Sequence, residues 1–311
     1  MTILLTGATG YLGGRIGREL LMRGHRLVAV HLNRNERFEC PEAQEPSVLR
    51  VYLSESGIEE AFAKEKIDGV IHTSTVYGRN REDFTTIIKA NVEFPVGVLM
   101  KAIAGGVKFF INTDSILRRN VSPYALSKGQ FVDWLEMAAG DILTVSMKLD
   151  HFFGPGEKTI KFVARILNDL KANVPRLHLT AGTQTRDFIY VDDVVSAYMC
   201  VIDRLSGLQK GALHTFEVGT GVRTSIRSLV TMAKELTGSS SELGFGDVPF
   251  RENEMLDYEV MAASSCLSSS ASWRFCANSI SRSFSMACSL RSASSCEPSL
   301  TAARRNSIAC F

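Results

Sequence analysis

The sequence predicts an α/β fold, a doubly wound parallel sheet with a smaller C-terminal lobe. Three observations carry that expectation. Short β-rich apolar runs alternate with longer helical patterns through the first half of the chain. A glycine-rich turn stands between the first apolar run and the first helical pattern. The rhythm then changes after Gly154-Pro155-Gly156.

The period of each segment gives the elements in order. Ile3-Leu4-Leu5-Thr6 reads as a buried strand. Residues 11–23 read as a helix, because Leu12, Ile16 and Leu20 share one face. Leu27–Val30 is the next strand, with further strands near 49–53, 69–72, 108–112 and 143–148. Helical patterns fill 57–65, 82–104 and 123–139. Beyond Gly156 come a helix near 159–172, Pro175 and an irregular stretch, then strand-like Asp187–Val191 and a helix over 193–205. Phe216–Gly219 is a short strand, followed by a helix with Ile226, Leu229, Val230 and Ala233. The predicted organisation is a dinucleotide-binding domain over 1–155 and a substrate lobe over 156–260, partly interleaved with the sheet domain. An aberrant tail fills 261–311.

Bulk properties exclude several classes. A chain of 311 residues with 45% hydrophobic content can bury one large core with a small dependent lobe. A net charge of +2 is too balanced to argue for nucleic acid. No apolar run reaches bilayer length, so no membrane association is expected. The opening Met1–Leu5 lacks a basic region and a cleavage site, so the expected compartment is the cytoplasm. The cysteines form no Cys-x-x-Cys pair, and no metal is expected.

Thr6-Gly7-Ala8-Thr9-Gly10-Tyr11-Leu12-Gly13 follows a strand and opens a helix. Gly7 permits the tight turn, Gly10 lets backbone approach a pyrophosphate, and Gly13 allows close helix–strand packing. The helix N-terminus, at Tyr11 and Leu12, offers N–H groups and a favourable field to phosphate. This is a dinucleotide-binding fingerprint of the Rossmann type. After the second strand no acid precedes Glu36, whereas an acid there would favour NAD. Arg34 is placed to meet a 2′-phosphate, which favours NADP(H) with NAD(H) as the alternative. An ordinary solvated loop arginine accounts for Arg34 equally well.

Tyr124-Ala125-Leu126-Ser127-Lys128 sets a phenol and an ammonium on one helical face. A lysine there, with a nicotinamide's positive charge nearby, would lower the phenol pKa toward working pH. Tyr124 could then give a proton to a carbonyl or take one from an alcohol. Upstream, Phe110–Ser115 ends a strand at the edge where open α/β sheets bind ligands. Thr113 and Ser115 are both candidates to hold a substrate oxygen, or simply to cap the next turn.

Together these residues resemble the extended short-chain dehydrogenase/reductase family, the nucleotide-sugar epimerases and dehydratases. The resemblance runs from Thr2 to about Val260. It includes Val70-Ile71-His72-Thr73-Ser74, similar to the family's cofactor wall and bringing in Thr73, and Asn91, matching its helix asparagine. It also includes Lys148–Gly156, Thr185–Asp193 and Phe216–Gly221. In the family the catalytic hydroxyl stands four residues before an aromatic. That position is Thr113 here, with Leu117 replacing the aromatic, so the resemblance favours Thr113 over Ser115. It further implies that Arg186 and Arg251 grip a nucleotide diphosphate. His151 falls where the family often has a substrate-contacting asparagine, and a merely packed histidine is the competing reading.

The departures narrow the chemistry. Thr113-Asp114-Ser115 replaces the Thr-Asp-Glu of the 4,6-dehydratases, which disfavours dehydration. With the short loop to Tyr124, the motif resembles most the CDP-abequose synthase-like branch, which reduces the 4-keto group of a CDP-dideoxy sugar for O-antigen. The implied protein is a homodimeric NADP(H) reductase of a nucleotide sugar, pairing through helices 82–104 and 123–139. An epimerase that retains NAD is the first rival. A non-catalytic NADP-binding sensor is the second, and it has no need of Thr113, Tyr124 and Lys128 together.

From Met261 the composition changes: serine dominates, cysteine is frequent and Glu297 is the only acid. No helical or strand period persists there, although the resemblance implies a closing helix. A shifted reading frame and a native disordered tail are the two readings of this stretch, and its many cysteines with Trp273 and Phe284 favour the shifted frame.

Overall fold

The computed structural model describes residues 1–31, 38, 40, 47–52, 55–157, 161–252, 254–256 and 273–275. In chain order the elements begin with β1 (Thr2–Thr6), α1 (Tyr11–Met22), β2 (Arg26–His31), β3 (Val48–Tyr52), α2 (Glu55–Lys64) and β4 (Gly69–His72). Next come α3 (Phe84–Ile88), a π-helical turn (Lys89–Glu93), α4 (Phe94–Ala104), β5 (Phe109–Ser115), a 3-10 turn (Arg119–Val121) and α5 (Pro123–Met137). They are followed by β6 (Leu143–Leu149), β7 (His151–Phe153), α6 (Phe162–Lys171), β8 (Arg176–Leu179), β9 (Thr185–Tyr190) and α7 (Val191–Asp203). The chain continues through β10 (His214–Val218), β11 (Arg223–Ser225), α8 (Ile226–Thr237), β12 (Glu242–Phe245) and β13 (Trp273–Phe275).

The main sheet runs β13-β10-β6-β5-β4-β1-β2-β3, with every pair parallel. Its central strands are apolar on both faces, as a sheet covered by helices requires. One apolar cluster joins Ile3, Leu5 and Ile111 to Ile16 and Leu20 of α1 and Val194, Tyr198 and Met199 of α7. The opposite cluster joins Leu4, Val70 and Phe110 to Val98, Leu99, Phe131 and Leu135 of α4 and α5. Each such side chain contributes on the order of 1.5–3 kcal/mol by leaving water. Strand order reverses between β1 and β4, and the crevice at that switch point is where open α/β sheets bind ligands.

Two small sheets, β11-β9-β7 and β12-β8, stand beside the main one. A third cluster, with Phe153, Ile166, Leu170, Phe188, Leu229 and Val230, binds them to α6 and α8. The β10 strand returns to the main sheet against β6, so late sequence contributes to the first core. Three residues of the tail, which shows no strand period in sequence, form β13 against β10. The remainder of the frame-shift reading lies outside the described residues.

Candidate active site

The glycine turn begins where β1 ends. Gly7 has φ +72°, and the Gly10 N–H donates to its carbonyl at 2.8 Å. A Cβ on Gly13 would stand 2.1 Å from the Gly7 oxygen and 2.6 Å from Thr73 Oγ1, so the helix can approach only without one. Thr73 closes the other side, donating from Oγ1 to the Thr6 carbonyl at 2.8 Å. No side chain caps α1 at Gly10. The first-turn N–H groups of Tyr11, Leu12 and Gly13 therefore face a cradle suited to a diphosphate. The Tyr11 ring stacks on Phe152 at 6.2 Å, and its buried hydroxyl has no hydrogen-bond partner. Arg34 lies outside the described residues.

Beside this cradle, α5 starts at Ser122, whose hydroxyl accepts from the Ala125 N–H at 3.1 Å, with Pro123 at the first helical position. Capping fixes the turn that carries Tyr124 and Lys128. The π turn aims buried Asn91 at three neighbours, and Thr75 Oγ1 donates to its Oδ1 at 3.1 Å. Its Nδ2 donates to Ser127 Oγ at 2.9 Å and to the Val76 carbonyl at 2.8 Å, while its Oδ1 accepts from the Val76 N–H at 2.8 Å. The loop after β4 is thereby tied to α5, and Tyr77 from that loop lies against Tyr124 at 4.9 Å between ring centroids.

Lys128 is 2% exposed, and burial pulls its ammonium down to about 8, with Asp114 opposing. Burial holds the Tyr124 phenol well above its ordinary value. Tyr77 and Asp114 add to that effect, while Arg79 and a side-chain hydrogen bond from Ser115 oppose it. The protein alone keeps Tyr124 a neutral phenol, so the lowering expected from sequence requires the cofactor's positive charge.

The two strand-end hydroxyls, Thr113 and Ser115, have different neighbours. Thr113 Oγ1 lies 2.6 Å from the hydroxyl of Tyr198 on α7, a fully buried side chain. The hydroxyl in reach of Tyr124 is that of Ser115, which also accepts from the Leu117 N–H at 3.3 Å. Of the two strand-end candidates, Thr113 is engaged with α7, while Ser115 acts on Tyr124.

On the substrate side, His151 Nδ1 pairs with Asp150 at 2.6 Å, and its ring meets the Phe188 edge at 5.8 Å. Arg186 is 7% exposed and committed within the protein, so it does not stand open to a diphosphate. It donates to the Thr185 and Met255 carbonyls at 2.7 Å each and pairs with Glu254 at 2.8 Å. Arg251 is exposed, three residues before Glu254. Asp187 accepts from the Thr220 N–H at 2.9 Å and the Gly221 N–H at 2.7 Å, fastening β9 to the turn after β10.

Several residues near the site were not singled out from sequence. Tyr77 and Arg79 sit in a loop with no period to mark them. Glu157 has 3% of its side chain exposed and lies 3.8 Å from Lys161. Burial pushes its carboxyl up to about 7, against Lys161 and Arg79. Among the described residues no His/Cys/Asp/Glu group could hold a metal, and no helix is long and apolar enough to cross a membrane.

A parallel sheet with a glycine turn at its switch point and a Tyr-Lys pair beside it defines a short-chain NAD(P)-dependent oxidoreductase. Residues 3–219 match the NAD dependent epimerase/dehydratase family, and the chain belongs to it. It is 30% identical over 268 residues to CDP-abequose synthase of Salmonella muenchen, covering 82% of this chain and 87% of that enzyme. It is 26% identical over 274 residues to UDP-glucose 4-epimerase of Mycolicibacterium smegmatis, covering 79% and 85%. The crystal structure of UDP-glucose 4-epimerase of Thermotoga maritima, with UDP-glucose, shares the fold at a TM-score of 0.70 and 24% identity, covering 83% and 88%.

Proposed function

We propose that this enzyme reduces the 4-keto group of a nucleotide-linked deoxy or dideoxy sugar, a CDP-linked one in first place, for polysaccharide synthesis. The observation that carries the reading is a neutral Tyr124 phenol within reach of Ser115 and one helical turn from buried Lys128, beside the diphosphate cradle. A reduced nicotinamide, when bound, supplies the hydride. Ser115 holds the ketone oxygen, Tyr124 gives it a proton, and the Lys128 charge offsets the phenolate that results. Gly7, Gly10, Tyr11, Leu12, Gly13 and Thr73 form the cofactor's diphosphate side, and Arg34 reads a 2′-phosphate in favour of NADP(H). Arg251 and His151 meet the substrate, and Arg186 joins them where the substrate diphosphate displaces Glu254. Two copies pair through α4 and α5 in the cytoplasm.

The relatedness to a UDP-glucose 4-epimerase favours one alternative, in which the hydride returns to the other face of the same sugar. A panel of nucleotide 4-keto sugars offered with NADPH separates the readings. Stoichiometric loss of nicotinamide absorbance with a CDP-linked member is expected. No loss with any member, together with interconversion of 4-epimers by the enzyme and bound NAD, would overturn the proposal.

A further inference from the structure

The corner between β6 and β7 holds an imidazole fixed from two sides. The Asp150 carboxylate lies 2.6 Å from His151 Nδ1, and the Phe188 ring of the paired strand β9 meets the imidazole edge-on at 5.8 Å. Asp150 is itself clamped: its side chain is 4% exposed, and its second oxygen accepts from the Asp187 N–H at 3.1 Å. A carboxylate so placed takes the Nδ1 proton as its hydrogen bond, which leaves the lone pair of the neutral ring on Nε2. Nε2 has no hydrogen-bond partner among the described residues, and the His151 side chain is 40% exposed.

The strands set this group beside Ser115. β5 and β6 stay in register to their ends, with Ser115 opposite Leu149, and the Ile116 N–H donates to the Leu149 carbonyl at 3.2 Å. His151 follows Leu149 by two residues, roughly 6.6 Å along the chain, and adjacent strands lie about 4.8 Å apart. The backbones of Ser115 and His151 are therefore on the order of 8 Å apart, with room for one sugar ring between their side chains.

We propose that Asp150 and His151 form a second proton-transfer site, in which His151 Nε2 removes and returns a proton on a carbon next to the sugar's ketone. Asp150 is the positioning residue for that imidazole. This deepens the proposed function and rests on its placement of a 4-keto sugar against Ser115 and Tyr124. As the C–H bond breaks, the Nε2–H bond forms. The electron pair left on carbon makes a C=C bond to the carbonyl carbon, and the carbonyl π pair moves to oxygen. There the Ser115 hydroxyl and the Tyr124 phenol stabilise the negative charge. Return of the proton to carbon restores the ketone, so no oxidant, reductant or co-reactant is consumed. Between the two steps the partly exposed imidazole exchanges its proton with water. A base, its orienting carboxylate and oxyanion donors around one carbonyl are the parts that such chemistry requires.

The test offers a CDP-linked 4-keto sugar to the protein in D2O without reduced nicotinamide, and follows the sugar by mass spectrometry and proton NMR. Deuterium should enter at a carbon flanking the ketone, faster than in an enzyme-free control. His151→Gln should lower the rate at saturating sugar by at least ~10²-fold, with His151→Asn as a second variant should glutamine fail to fold. Asp150→Asn should lower the same rate by at least ~10-fold while calorimetric affinity for the sugar is kept, a split that a merely structural role would not give. Wild-type protein that reduces the sugar with NADPH yet gains no deuterium above the control would overturn the inference and leave the proposed function standing. Undiminished exchange in a folded His151 variant would overturn it as well. Exchange without reduction would support the inference and count against the reductase reading, and neither reaction with any 4-keto sugar would overturn both.

Discussion

Ser115 and Thr113 stand two residues apart at the end of β5, and they have different neighbours. Thr113→Val would leave the fully buried Tyr198 hydroxyl without its 2.6 Å partner, at a cost of about 1–3 kcal/mol. Denaturant unfolding should show that loss, while turnover stays within a few-fold of wild type. On the proposed function Ser115→Ala should lower turnover by at least ~10-fold, since Ser115 is the proposed holder of the ketone oxygen. Steady-state kinetics of the pair checks the assignment, and the reverse ranking would return Thr113 to the site. Tyr124→Phe should keep cofactor binding and lose at least ~10²-fold in turnover. Glu157 offers a prediction in stability. Burial pushes its folded carboxyl up to about 7 from the ordinary 4.5, so the native state loses stability as pH rises through that window. Glu157→Gln removes the penalty. Its Tm should exceed wild type by roughly 2–4 °C or more at pH 8, the scale of 1 kcal/mol in a domain this size, and match it near pH 4.

At the scale of elements, the long parallel-sheet strands and their helices were legible because their apolar periods run for a turn or more. Gly69–His72 was read to the residue, and α1 and α5 to within two at their ends. The strands β7, β8, β11 and β12 were not legible: unlike the equally short β4, which falls within the regular strand–helix alternation of the first half, they lie beyond that alternation and are too short to set a period of their own. Likewise the π turn that aims Asn91 is hidden inside what reads as one helix over 82–104. Arg186 was legible as a guanidinium in a characteristic segment, but its pairing with Glu254 depends on a contact 68 residues away. That contact makes a prediction: Glu254→Gln should strengthen nucleotide-diphosphate binding by about 3–10-fold, the scale of one charge-assisted hydrogen bond no longer competed for. Calorimetric titration with a CDP-sugar measures it, and weaker binding would mean Glu254 supports the site. The outer face of α4 and α5 leaves Met100 59%, Trp134 53% and Met137 80% exposed. On the proposed pairing, Trp134→Asp combined with Met137→Asp should shift the protein from dimer to monomer in light scattering.

At the scale of the whole molecule, β1, β4, β5 and α5 converge on one crevice because the strand order reverses between β1 and β4. The glycine turn, Thr73, Ser115 and Tyr124 come from distant parts of the sequence, yet all leave their elements at the same edge of the sheet. On the proposed function, such convergence would set a bound nicotinamide and the Tyr124 phenol around one carbonyl, which is what a single net reduction requires. Hydride transfer itself is the most direct observable. With NADPH carrying deuterium at the transferring position and a CDP-linked 4-keto sugar, mass spectrometry of the product should find one deuterium at the sugar C4 and one NADP+ released per sugar reduced. A product without deuterium, or a cofactor that ends the cycle in the state it began, would contradict the account.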